Sequence, residues 1–246
     1  FKPEISTGGY GDNRFNDEKI WAASELYITT KDISYCDSVE IIPDTLMPLP
    51  SWNNVRLLGY YSLIRNKSKL RSYVRKDSKI IMEQIITAAN RLIDGAASGA
   101  YYTVMGKTVR DFVWGSNSVA ANQGILLIQA WKLTKERKYA DFALTNLDYL
   151  LGRNATGYSF ITGFGKLTPM HIHHRVSEAD GIPEPVPGLL AGGPNPGRED
   201  GCEYPSKAAD ESYVDNVCSY ASNEIAINWN APAAYLAAAL DAIFRK

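Results

Sequence analysis

The run NSVAANQGILLIQAWKL at residues 117–133, followed within a few residues by KYADFALTNLDYLL at residues 138–151, decides the fold class of this chain. Both stretches carry apolar residues at the 3.6-residue spacing of a helix, and Gly152 closes the second. A link this short makes the two helices antiparallel neighbours. Toward the N-terminus the same spacing predicts a helix over residues 79–93, with Ile81, Ile85, Ala88, Ala89 and Leu92 in one stripe and Gly95 as its stop. It predicts further helices over 51–64 and 17–29. Asn16 reads as the N-cap of the latter, Asp17 and Glu18 as its first-turn acids, and Trp21, Ala22 and Leu26 as its inward face.

Toward the C-terminus, residues 153–221 hold no sustained helical or alternating pattern and are rich in Gly and Pro, among them Pro183, Pro185, Pro187, Gly192, Gly193, Pro194 and Pro196. Loops this long inside a domain are usually functional or disordered. A last helix over 222–244 follows, which Tyr235, Leu236, Leu240 and Ile243 would anchor. Strand signals are sparse. The chain therefore reads as all-α, a set of paired helices whose connecting loops carry the chemistry. That pattern fits half of a helical toroid better than a closed bundle, although no strict repeat is present.

At 246 residues and 45% hydrophobic content the chain can bury a sizeable core, as one domain or as a large part of one. Twenty-six Lys and Arg against 27 Asp and Glu leave no global field to hold nucleic acid or an anionic membrane. No apolar run approaches the roughly 18 residues of a membrane span. The start at Phe1, within reach of the Gly-rich Gly8, Gly9 and Gly11, reads as an internal loop and points to processing or truncation. Cys36, Cys202 and Cys218 include no C-x-x-C pair, so free thiols are the default and a single disulfide is the alternative.

Two constellations stand out. All three histidines fall at His171, His173 and His174, beside Arg175. They could ligate a metal, brace the loop through backbone carbonyls, or point into a cleft where Arg175 and a neutral imidazole bind polar groups of a substrate. The second constellation runs from Tyr213 to Glu224 and delivers Asp215 and Glu224 close to the start of the last helix. In a structural account Ser222 caps that helix and Glu224 complements its dipole, which lowers the Glu224 pKa. A general acid must instead retain its proton near working pH, so burial would have to outweigh the dipole. Trp52 and Trp114 precede helices, where flat rings either join the core or offer platforms for sugar faces.

The segments Ser159 to Gly165, His171 to Arg175, Gly192 to Pro194 and Tyr213 to Ala231 together resemble family 9 glycoside hydrolases, cellulases built on an (α/α)6 barrel. The likeness extends back to Gly8, Gly9, Tyr10, Gly11 and Asp12 and to Asn16, Asp17, Glu18 and Trp21, and so covers essentially the whole chain. One family signature is matched throughout, at Tyr213, Asp215, Tyr220, Glu224, Ala226, Asn230 and Ala231. The other is matched at Ser159, Ile161, Thr162, Gly165, Ile172, His173 and Arg175, but Leu167 stands where relatives carry Asn, Lys or Arg, with Lys166 beside it.

The resemblance implies hydrolysis of β-1,4-glucosidic bonds in cellulose or related glucans, with inversion. By it Glu224 is the catalytic acid, Asp215 an essential carboxylate ordering the site, and His173 and Arg175 ligands of the sugar beside the cleaved bond. Tyr220, Trp52 and Trp114 would line subsites. Asp17 and Glu18 match positions that coordinate a structural calcium in some members, and helix capping explains them equally well; the chemistry itself requires no cofactor. The D-A-G-D motif whose aspartates activate water is absent, the closest string being Ile93, Asp94, Gly95 and Ala96. The resemblance thus implies that residues 1–246 are the C-terminal portion of one catalytic domain, with the base on a missing N-terminal portion or a second chain. It also implies a secreted enzyme acting on β-1,4-glucan or cello-oligosaccharide. A non-catalytic sugar-binding or inert half-domain is the alternative, and another helical-toroid enzyme a third reading.

Overall fold

The computed structural model describes residues 11–245. The Gly8, Gly9 and Tyr10 part of the resemblance and the Gly-rich start lie outside the described residues. Among them the protein is helical, with isolated bridges in place of strands. The helices are α1 (Asn16–Thr30), α2 (Ser34–Asp37), α3 (Arg56–Arg65), α4 (Ser72–Ile93), α5 (Ser116–Thr134), α6 (Arg137–Leu150), α7 (Arg175–Ala179), α8 (Tyr220–Asn223) and α9 (Ile227–Phe244). The chain divides into two compact units, one ending at Ile85 and the other beginning at Ile86. Among the described residues no helix is long and apolar enough to cross a membrane.

In the first unit α1 packs on α3. The buried stripe of α1 is Ile20, Ala23, Ser24 and Tyr27, whereas Trp21, Ala22 and Leu26 face outward, which corrects the predicted inward face. The reason is register: positions 20, 23, 24 and 27 follow the i, i+3, i+4, i+7 rule, and the bulky residues one position away do not. Phe15, not Asn16, precedes the first helical residue, and no side chain caps that end. The third helix begins at Arg56, later than predicted, because Ser51 and Asn54 pair backbone to backbone in a turn. Arg56 is buried and bidentate on Asp44 at 3.0 and 2.9 Å, which holds the preceding loop to α3.

The second unit is built on α5, α6 and α9, which contact one another pairwise. The α5 and α6 spans match the predicted ones within a residue, and their ends confirm the antiparallel pairing. Asn146 near the end of α6 bonds Ala120 and Gln123 near the start of α5. Helix α9 lies so close to α5 that a Cβ on Gly124 would come within 2.7 Å of Leu236. Leu236 and Leu240 anchor α9 as predicted, but Tyr235 is exposed and instead reaches Gln129 and Lys132 with its hydroxyl.

The long segment after α6 is folded onto these helices. Its Phe160, Leu190, Ala191 and Tyr213 enter one core with Tyr149, Leu150 and Trp229. Cys202 and Cys218 form a disulfide across a Cα separation of 6.2 Å, while Cys36 is a buried free thiol, so the free-thiol expectation fails for two of the three.

Asn146 is fully buried, and its amide accepts the Val104 and Met105 backbone N–H groups while donating to Ala120 and Gln123. Asn146→Ala leaves these groups without partners and is expected to cost about 2–4 kcal/mol of stability. Denaturant unfolding checks this, and a shift within about 0.5 kcal/mol of zero would contradict the packing described.

Candidate active site

Residues 222–225 were expected to open a helix; they do not. The single turn α8 ends at Asn223, Glu224 is extended (φ −71°, ψ 151°), and α9 starts only at Ile227. Glu224 therefore lies outside the first turn of α9, and the helix-dipole account of it fails on geometry. Its backbone is held on both sides. The Glu224 carbonyl accepts the Gly192 N–H at 3.0 Å, and the Asn223 carbonyl accepts the His173 N–H at 3.0 Å. Gly193 completes the anchor by donating to the Ser222 carbonyl, in a left-handed conformation (φ +93°) that would put a Cβ within 2.4 Å of the Asn117 side chain.

The side chain of Glu224 is half-buried, and Oε2 accepts the indole N–H of Trp114 at 3.3 Å. Burial raises its pKa above the ordinary carboxyl value, against the opposing effects of the Trp114 bond and of the nearby His173. The Trp114 ring lies 5.6 Å from Tyr220, and Tyr220 lies 5.9 Å edge-on from His173. The three rings thus form one cluster whose Trp114 member bonds the carboxyl, with Trp114 and Tyr220 each more than a third exposed. Such an arrangement offers apolar faces to a ligand beside a proton donor.

His173 Nδ1 lies 2.8 Å from the Val217 carbonyl. A carbonyl only accepts, so Nδ1 carries a proton and donates it there, which leaves Nε2 for another partner. His174 turns to Ser177 at 2.9 Å, and His171 is exposed. The three imidazoles do not converge, and among the described residues no set of three His, Cys, Asp or Glu side chains could hold a metal. The metal reading of this cluster is thereby corrected: alternate residues of an irregular backbone point different ways. Arg175 is exposed at the first residue of α7.

Asp215 does not face Glu224 as a second free carboxylate. Its Oδ2 accepts the Met170 N–H at 2.8 Å, and its Oδ1 accepts the His171 N–H at 2.8 Å and the Asn223 amide at 3.0 Å. Asn223, which the sequence did not single out, is the fully buried hub of the site. Its amide also donates to the His171 carbonyl, and its Oδ1 accepts the Tyr213 hydroxyl. An Asn next to a candidate acid was the only signal for it.

Trp52, Asp17 and Glu18 belong to the first unit. Trp52 is half exposed and lines an open cleft of about 610 Å³ together with Asp12, Asp17, Asp44 and Arg56. Asp17 Oδ2 accepts the Val55 N–H at 2.7 Å, and Asp44 is engaged by Arg56. Among the described residues no group of three or more His, Cys, Asp or Glu side chains could hold a metal ion. Asp17 instead straps α1 to the start of α3.

A family model described as glycosyl hydrolase family 9 matches residues 2–237. The chain is 42% identical over 245 residues to a xyloglucan-specific endo-β-1,4-glucanase of Bacteroides ovatus, covering 99% of this chain and 42% of that protein. Among solved structures it resembles a Bacteroides ovatus GH9 protein with a TM-score of 0.90 and 38% identity, over 99% of this chain and 43% of that one. It also resembles AaCel9A in complex with cellobiose-like isofagomine, with a TM-score of 0.82 and 31% identity, over 100% of this chain and 46% of that one. The chain thus spans less than half the length of these relatives.

A raised folded-state pKa at Glu224 has a thermodynamic signature. Below the unfolded-state carboxyl pKa both states are protonated and the group costs nothing; as pH rises through the raised folded pKa, the native state loses stability relative to the unfolded chain. Glu224→Gln is therefore expected to raise the thermal midpoint at neutral pH and to leave it unchanged well below the unfolded carboxyl pKa. A midpoint that falls at neutral pH would contradict the raised value.

Proposed function

Because this chain belongs to glycosyl hydrolase family 9, we propose that it supplies the acid half of a hydrolase that cuts β-1,4-glucan with inversion of configuration. The observation that carries this reading is a half-buried Glu224 whose pKa burial raises, bonded to Trp114 in the ring cluster of Trp114, Tyr220 and His173. Glu224 protonates the glycosidic oxygen of the leaving sugar. Tyr220 and Trp114 pack on sugar faces, His173 Nε2 and Arg175 bind hydroxyls, and Asp215 keeps the loop carrying His173 against Asn223 and Glu224.

Inversion also needs a carboxylate that activates water on the opposite face of the sugar, about 6.5–9.5 Å from the acid. Asp215 is unsuited to that task, since both its oxygens already accept protein donors. In this reading, as the family resemblance implies, the base is a carboxylate outside these 246 residues, on the same polypeptide or on a partner. Trp52, half exposed in the first unit, is read as a further subsite platform.

The backbone of the substrate is β-1,4-linked glucose. The 42% identity to a xyloglucan-specific enzyme makes xyloglucan the first polymer to test beside cellulose. Such polymers are met outside the cell, and the Cys202–Cys218 disulfide suits an oxidising compartment, so the reading includes secretion.

In the complete enzyme, Glu224→Gln is expected to lower kcat on unactivated β-1,4-glucan by about 10²- to 10⁴-fold, with oligosaccharide binding retained. Reducing-sugar release checks the first part and calorimetric titration with cello-oligosaccharide the second. Wild-type turnover in the variant would reject Glu224 as the acid. Binding without turnover in the unsubstituted complete enzyme would favour a sugar-binding domain instead.

A further inference from the structure

Tyr220 presents a problem that the packing of the core does not solve. It is 37% exposed, yet its ring must keep one orientation between Trp114 and His173 if it is to meet a sugar. An exposed aromatic on an irregular segment gains little from burial, so something polar has to fix it. The polar contacts around it converge on the loop that follows Pro196.

Within that loop, Asp200 Oδ2 accepts the Ser219 hydroxyl at 2.9 Å and the Ala221 N–H at 3.0 Å. These are the two residues that flank Tyr220. Asp200 is fixed in turn by the Tyr204 hydroxyl at 2.7 Å and the Cys202 N–H at 3.0 Å. The preceding carbonyl, that of Glu199, accepts the Tyr220 hydroxyl at 2.9 Å. Two adjacent residues therefore hold Tyr220 at its phenol, at the Ser219 hydroxyl before it and at the Ala221 N–H after it.

The loop is itself tied down. Asn195 is almost completely buried and donates to the Ala221 carbonyl at 3.0 Å, and the Cys202–Cys218 disulfide joins the same two segments. Asp200 remains the charged member of the arrangement. Burial disfavours its charge, but the bonds from Tyr204, Cys202, Ser219 and Ala221 hold its carboxyl below the ordinary range.

We propose that Asp200 is a positioning residue for substrate binding: it holds the Ser219 hydroxyl and the Ala221 N–H on either side of Tyr220 and thereby sets the aromatic platform between Trp114 and His173. The proposal rests on the carbohydrate reading above. Asp200 is given no contact with substrate and no part in proton transfer; it acts through Tyr220. An amide at this position replaces one acceptor oxygen with a donor that faces other donors, so Asp200→Asn should loosen the clamp while conserving volume.

The test is a double-mutant cycle in the full-length protein, using Asp200→Asn and Tyr220→Ala, with kcat and KM on cello-oligosaccharides and the thermal midpoint measured for each. With tyrosine at 220, Asp200→Asn is expected to lower kcat/KM about 10- to 100-fold, mostly through KM. In the Tyr220→Ala background the same change should cost less than about 2-fold, since the residue it acts through is gone. Should Asp200→Asn fail to fold, Ser219→Ala removes one of the clamping donors and should show a smaller loss with the same dependence on Tyr220. An equal loss in both backgrounds would make Asp200 a general structural residue and overturn the proposal, as would no loss in either. An unsubstituted enzyme that neither binds nor cleaves the oligosaccharide would overturn the carbohydrate reading itself, a result separable from the others.

Discussion

Three donors converge on the carboxylate of Asp215, and the site depends on that convergence. The Met170 and His171 N–H groups come from one arm of the long irregular segment, and the Asn223 amide comes from the other. Without a charged acceptor between them, the two arms would keep only the neutral contacts of Asn223 with His171 and of His173 with Val217 and Asn223. With it, His173 is brought beside Glu224 although they lie 51 positions apart in the sequence. Charge-assisted bonds of this kind are about twice as strong as neutral ones, which suits them to closing a long loop.

The second constraint is the extended backbone of Glu224. Had α9 begun at Ser222, the partial positive charge of the helix end would have favoured the carboxylate form. Because the helix starts at Ile227 instead, burial governs the group, and burial favours the protonated form. The bridges of Gly192 and His173 to this segment are thus electrostatic in effect as well as structural, since they keep the acid off the helix.

The helices were legible where one face dominates the pattern. The α5 and α6 spans emerged almost to the residue, because a buried three-helix contact imposes strict spacing on both. The start of α4 was missed because its first two turns, SYVRKDS, are mostly polar and carry no stripe. The inward face of α1 was misassigned because Trp21 and Leu26 look like core residues by type, while register puts Ile20, Ala23 and Tyr27 inside.

In the site, residue types with rare chemistry could be picked out, and Trp114, His173, Tyr220 and Glu224 do come together. Trp52 belongs to the first unit. The supporting hubs Asn223 and Asp200 were not legible. A hydrogen-bonding hub leaves no periodicity, and its partners at Met170, Ser219 or Tyr213 are joined to it only by the fold. The helical architecture is that of part of an (α/α)6 barrel, in keeping with the solved structures it resembles.

The account stands on the protonation state of one side chain. A carbon-13 titration of the Glu224 carboxyl, assigned by comparison with Glu224→Gln, reads it directly. The account predicts a midpoint above the ordinary glutamate range, with a chemical shift that also moves when cello-oligosaccharide is added. A midpoint below that range, unaffected by the sugar, would contradict it and return Glu224 to the role of an ordinary surface acid.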